Sequence, residues 1–351
     1  MIRVFLTAAL ISGIAVSALA DVSLNIDTIF DYKASFYTNS STNNFNGFGL
    51  GWGAVGFSGD ISKNVKGNFL YDVTGNSLFT YGIWYSYFDW TVLENSLITV
   101  GLQDSVFGYT IPADAYARTI DLGVKWSQNF GVFGYSVQAI RGDISATTSD
   151  FETVFNGVII STMSRKVPTF QGEITATPVK GLTLGVAGRK SQFDGTVSGI
   201  EITNNETGLE GYAAINSDLI PNLGFTADYT ALFNTINYGD IKSTNANSYY
   251  FTADLNYTLG SVTPGFKYGI EDPNTSVDST NDLNQWVDVY AVIKLTEDGN
   301  LKVTPFFQYN LTRTNSNTPE DIAWFRIRFE YQFNFPVYKE TVKKESASDN
   351  K

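Results

Sequence analysis

The chain has 351 residues and a formal net charge of −12, and it contains neither cysteine nor histidine. The missing cysteines exclude disulfides, thiolate metal sites and cysteine nucleophiles; the missing histidines exclude Ser-His-Asp catalysis and the common zinc centres. The acidic balance, with no basic run beyond Lys343 and Lys344, excludes a nucleic-acid-binding face, so no nucleic acid is expected as a partner.

Residues 1–20 read as a signal peptide: Arg3 gives the positive start, Val4 to Val16 is apolar, and Ala18-Leu19-Ala20 is a cleavage site of small residues. The mature chain would begin at Asp21. No later run reaches 18 apolar residues, so no transmembrane helix is predicted. The 26 Phe, 20 Tyr and 31 Gly point to β-structure with tight turns.

From Asp21 onward the apolar residues alternate. Val22, Leu24, Ile26, Phe30, Tyr32, Ala34 and Phe36 share one face, and Asn25, Asp27, Asp31 and Lys33 the other. Tyr249 to Tyr257, Val287 to Leu295 and Ala323 to Phe335 repeat the pattern. This predicts strands at 22–38, 47–59, 66–74, 77–90, 96–103, 119–127, 131–142, 168–178, 181–191, 206–217, 222–235, 247–258, 261–271, 284–296, 300–313 and 321–335. Phe155 to Thr162 is apolar enough to hide a further strand. Short connections alternate with long polar ones, the latter at 39–46, 104–118, 142–168, 191–206, 239–246 and 271–282.

The sequence offers no helices to cover so much apolar surface. A closed sheet with its apolar face to lipid and its polar face to a wet lumen resolves this. The predicted fold is therefore all-β: a transmembrane antiparallel β-barrel of about 16 strands, with 14 and 18 as alternative counts, and both ends periplasmic. The barrel would span residues 21–335, and 336–351 would form a disordered periplasmic tail.

These features resemble the bacterial outer-membrane porins. The likeness rests on the leader, the even strand count, the aromatic belt of Trp84, Tyr85, Tyr87, Phe88 and Trp90, and the closing strand 325–335. In such barrels an alternating terminal strand ending in Phe is the assembly signal, but here 16 residues follow Phe335. A local likeness lies at Thr99-Val-Gly-Leu-Gln-Asp-Ser-Val-Phe-Gly108, where porins begin the loop that folds into the pore. The resemblance implies a water-filled channel for ions and small polar solutes, no enzymatic activity and no cofactor. It also implies residence among the lipids of a diderm outer membrane, and a homotrimer.

The candidate pore residues follow from loop position and strand face. Asp104, Tyr109, Asp114, Tyr116 and Arg118 belong to the loop that could narrow the pore, with a loop lying wholly outside as the alternative. Asp121, Lys125, Arg326, Arg328 and Glu330 fall on the polar face. Ten acidic against eight basic lumen-facing positions are near balance, which argues against a strongly selective anion pore, and the overall acidity leans towards weak cation preference.

Residues 271–282 are oxygen-rich but lack the Gly and Glu of a calcium loop, and Gly51 to Gly56 matches a phosphate-loop spelling without the helix it requires, so no metal site is expected. The competing function is an adhesin or receptor acting through the outer loops. Barrel hydrolases are set aside because the known examples place a histidine at their centre.

Overall fold

A computed structural model of the chain describes residues 21–36, 46–72, 83–107, 120–140, 145–147, 154–155, 158–159, 162–165, 168–197, 200–238, 241–272, 283–312 and 323–339. The first seven strands are β1 (Asp21–Phe36), β2 (Asn46–Ser62), β3 (Val65–Asp72), β4 (Ile83–Leu93), β5 (Ser96–Asp104), β6 (Ile120–Phe130) and β7 (Phe133–Ile140). Four short strands follow: β8 (Ser145–Thr147), β9 (Val154–Phe155), β10 (Val158–Ile159) and β11 (Thr162–Arg165). The chain then forms β12 (Thr169–Val179), β13 (Leu182–Val197), β14 (Ile200–Ile215), β15 (Leu223–Tyr238), β16 (Ile241–Tyr257), β17 (Val262–Asp272), β18 (Asn284–Lys294), β19 (Leu301–Thr312) and β20 (Ala323–Lys339).

The long strands β1–β7 and β12–β20 each pair antiparallel with their neighbours. β7 joins β12 from Thr169 opposite Ile140 to Ala176 opposite Phe133. β20 returns to β1, from Phe36 opposite Ala323 to Asp21 opposite Lys339. The result is a closed barrel of sixteen strands. Closure removes the two open edges that a flat sheet of this length would expose.

Seven turns at the end that holds Asp21 and Lys339 are short. Four of them have two residues, and in three of these a left-handed position is taken by Asn95, Gly131 or Gly181.

Relative to the sequence reading, the differences lie at strand ends. β13 and β14 run in unbroken register to Val197 opposite Ile200, so 191–197 and 200–206, expected as loop, are paired strand. The same holds for 241–246, which β16 pairs with the end of β15 up to Tyr238 opposite Ile241. The apolar stretch at Phe155 contributes β9 and β10, which pair antiparallel with each other, and β11 pairs with the tip of β13. Of the tail expected from 336 on, residues 336–339 belong to β20. Pro336 has no N–H to donate, and the register slips there, between Val22 and Ser23, before pairing resumes at Tyr338.

The packing is inverted relative to a water-soluble protein. Large apolar side chains on the outer face are exposed: Phe170 61%, Ile174 58%, Val186 58%. Inward-facing polar ones are covered: Glu206 2%, Glu210 4%, Asp228 4%, Gln138 3%. A soluble sheet would reverse these values; a barrel in hydrocarbon requires them. No helix among the described residues is long and apolar enough to cross a membrane.

Candidate functional site: the barrel lumen

Strand alternation and register decide which side chains meet inside the barrel. One continuous inner row runs Lys125, Gln138, Gln171, Arg189, Gly208 and Leu232, from β6 to β15. Onto this row the chain lays the segment that follows β5. Ser105, Val106 and Phe107 are 1%, 5% and 5% exposed, so the segment lies inside the barrel against its wall.

Two neutral amides hold it there. Gln138 donates to the Asp104 carbonyl at 3.0 Å and accepts from the Val106 N–H at 2.9 Å. Gln171 accepts from the Ser105 hydroxyl and from the Val106 N–H. The Phe107 ring reaches further along the wall and occupies the space a side chain at position 208 would need. Glycine at 208 therefore serves as the socket for this ring. Above it lies the Arg189 guanidinium, 4.8 Å from the ring centroid. Arg189 also pairs with Glu206, both side chains being nearly covered, at 8% and 2% exposure. Charge neutralisation within the pair makes burial of either group tolerable.

Two tyrosines brace the wall in one manner. Tyr212 lies across Gly185 and donates its hydroxyl to Glu173 at 2.7 Å, spanning from β14 to β12. Tyr290 lies across Gly265 and donates to Asp254 at 2.6 Å, spanning from β18 to β16. Asp254 also faces the Lys267 ammonium at 3.8 Å.

The sequence-predicted residues divide between two walls. On β5 and β6, the Asp104 carboxylate accepts from the Tyr85 hydroxyl at 2.8 Å, Asp121 pairs in register with Gln103, and half-buried Lys125 pairs with Thr99 and Gln138. On β20, beyond β1–β4, the Arg326 guanidinium lies 5.1 Å from the Phe306 ring, Arg328 is in register with Asp31 and Thr304, and Glu330 with Lys302. Tyr109, Asp114, Tyr116 and Arg118 lie outside the described residues, as do residues 273–282 of the oxygen-rich loop.

Sequence reasoning missed Gln138, Gln171 and Gly208, which hold the segment. An uncharged inward glutamine looks like any wet-wall residue, and only its pairing with the backbone of another segment distinguishes it. Among the described residues no group of acidic side chains is placed to hold a metal ion.

No protein-family model matches the sequence, and no curated protein does. Solved structures do match in fold. The outer membrane channel DcaP of Acinetobacter baumannii is 13% identical, with 89% of this chain and 96% of that chain covered and a TM-score of 0.64. OmpF of Salmonella typhi, solved with daunomycin, is 12% identical over 89% and 97%, TM-score 0.59. An anion-selective porin from Comamonas acidovorans is 11% identical over 90% and 98%, TM-score 0.58. The chain thus has the fold of the sixteen-stranded outer-membrane porins.

Proposed function

We propose that this protein is an outer-membrane porin, a non-enzymatic channel through which ions and small polar solutes diffuse. The inverted packing carries the reading: an apolar outer surface fits a bilayer, and a polar lumen fits water and its solutes. The segment from Asp104 inward is the proposed constriction, with Lys125, Arg326, Arg328 and Glu330 on the walls around it. A homotrimer, as in porins of this build, is the proposed assembly.

The charge pattern supports a mild preference for cations. Glu173, Glu210, Asp228 and Asp254 fall on β12, β14, β15 and β16, with Arg189 among them on β13, whereas Lys302, Arg326 and Arg328 gather on β19 and β20 beside Glu330. Facing arcs of opposite sign set a transverse field, which favours polar solutes over apolar ones.

The test is insertion of the purified barrel into a planar bilayer. Discrete ionic steps are expected, with a salt-gradient reversal potential on the cation side. Absence of steps from folded protein would refute the channel and leave the adhesin reading; a reversal potential of zero would refute the selectivity alone.

A further inference from the structure

Aromatic rings lie flat on one stretch of the inner wall. Trp286 and Tyr290 both project inward from β18. The atoms of Trp286 occupy the space above Gly269, and those of Tyr290 the space above Gly265, so each ring rests on bare backbone of β17. On the next strand Phe306 continues the surface, its plane within 19° of Tyr290 and its centroid 6.4 Å away. Arg326 closes the row over Phe306.

Between the Trp286 row and the Tyr290–Phe306 row runs a polar one: Asp254, Lys267, Asp288 and Gln308, in register across β16 to β19. The two aromatic platforms are four residues apart on β18, roughly 13 Å along the strand.

Tyr212 shows what a purely structural version looks like. It shares the Tyr–Gly–carboxylate build, yet it is 7% exposed and closed to any solute. Trp286 and Tyr290 are only half-buried. A ring with one face on the wall and part of its surface open turns the other face to the lumen.

We infer that the wall formed by Trp286, Tyr290 and Phe306 is a stacking site for ring-shaped polyols, that is, sugars in pyranose form. This rests on the channel reading above. The chemistry is specific to that class. The face of an aromatic ring is electron-rich and attracts the weakly positive C–H hydrogens on the flat side of a sugar ring. The hydroxyls at the sugar's rim both donate and accept, and the intervening row supplies both partners, the Lys267 ammonium and Gln308 amide as donors and the Asp254 carboxylate as acceptor. A monosaccharide occupies one platform; an oligosaccharide bridges both and binds more tightly.

Single-channel recording with maltotriose as the probe tests this, because binding is read only in channels already assembled and open. Maltotriose should produce concentration-dependent interruptions of the ionic current, and glucose weaker ones. Sorbitol, an open-chain polyol, and a polyethylene glycol as large as maltotriose should produce none. Trp286→Leu and Tyr290→Leu should each weaken half-saturation about tenfold, while Tyr290→Phe, which keeps the ring, should retain binding. Gly265→Val, which lifts the Tyr290 ring off the wall without removing it, should weaken binding as Tyr290→Leu does. Ionic steps without maltotriose interruptions, equal interruptions by the glycol, or unchanged half-saturation in both leucine variants would overturn the site and leave the channel standing. No ionic steps at all would overturn both.

Discussion

Val186 offers the sharpest test of the inverted packing. It lies outward on β13, 58% exposed, opposite Ile174, which is exposed to the same degree. Its row of outward residues runs from Leu182 at the short turn to Lys190, the first charge, and Val186 is the midpoint. On a soluble protein Val186→Arg would be a surface change worth less than about 0.5 kcal/mol. In hydrocarbon an arginine at mid-depth costs about 2–4 kcal/mol, a factor of roughly 30 to 900 in the folding equilibrium. Thr183→Arg, on the same strand but facing the lumen, meets water and should stay within about 0.5 kcal/mol. Urea-driven unfolding from lipid vesicles, followed by tryptophan fluorescence, measures both. Equal stabilities for the two variants would show that the outer face does not meet lipid, and the channel would fall with it.

Three further outcomes are expected. Glu206→Gln leaves the covered Arg189 without its counter-charge, so the barrel should lose about 3–5 kcal/mol and the reversal potential should move towards anions; an unmoved potential would place the pair off the ion path. Gly208→Leu takes the space of the Phe107 ring, so the docked segment must leave the wall and single-channel conductance should change; identical conductance would mean that the segment does not narrow the pore. In the exposed turn after β18, Asp298 is held below the ordinary carboxylate value of 3.8, first by its hydrogen bond with Thr296 and then by the Asn300 N–H. Because the folded pKa is depressed, this contribution is present above the ordinary value and is lost as pH falls through the lowered one. Asp298→Ala should therefore destabilise the barrel at neutral pH, with the gap to the unmodified protein closing in acid; a gap that persists at low pH would assign the effect to the turn backbone instead.

The barrel strands were readable from alternation because each has an apolar outer face and a polar inner one, which imposes a period of two on the sequence. Where polar residues fall on both faces of a strand, that imposition vanishes. Gln192 to Val197 and Glu201 to Asn205 carry Thr, Asn, Asp and Glu without preference for a side, so paired strands there read as loop. The β4 aromatics, which crowd both faces, resolve once Tyr85 and Tyr87 are seen inside, edge to face, and Phe88 and Trp90 outside. For the pore, charged lumen residues such as Lys125 and Arg326 were legible, since alternation alone assigns their face. The docking of Ser105 to Phe107 was not: it depends on two glutamines and one glycine brought together from three strands, a coincidence of register that no local window contains.

The pairing of β1 with β20 has a consequence for how the molecule is made. These partners stand at opposite ends of the barrel sequence, so the cylinder cannot be sealed while any intermediate strand is missing. Until Ala323 to Lys339 arrives, β1 and the latest strand to join present raw edges that any neighbouring chain could zip onto. A product truncated before residue 323 is thus expected to be an aggregation hazard and not merely a leaky barrel, and the run past Pro336 to Lys339 lengthens the seam on which completion depends.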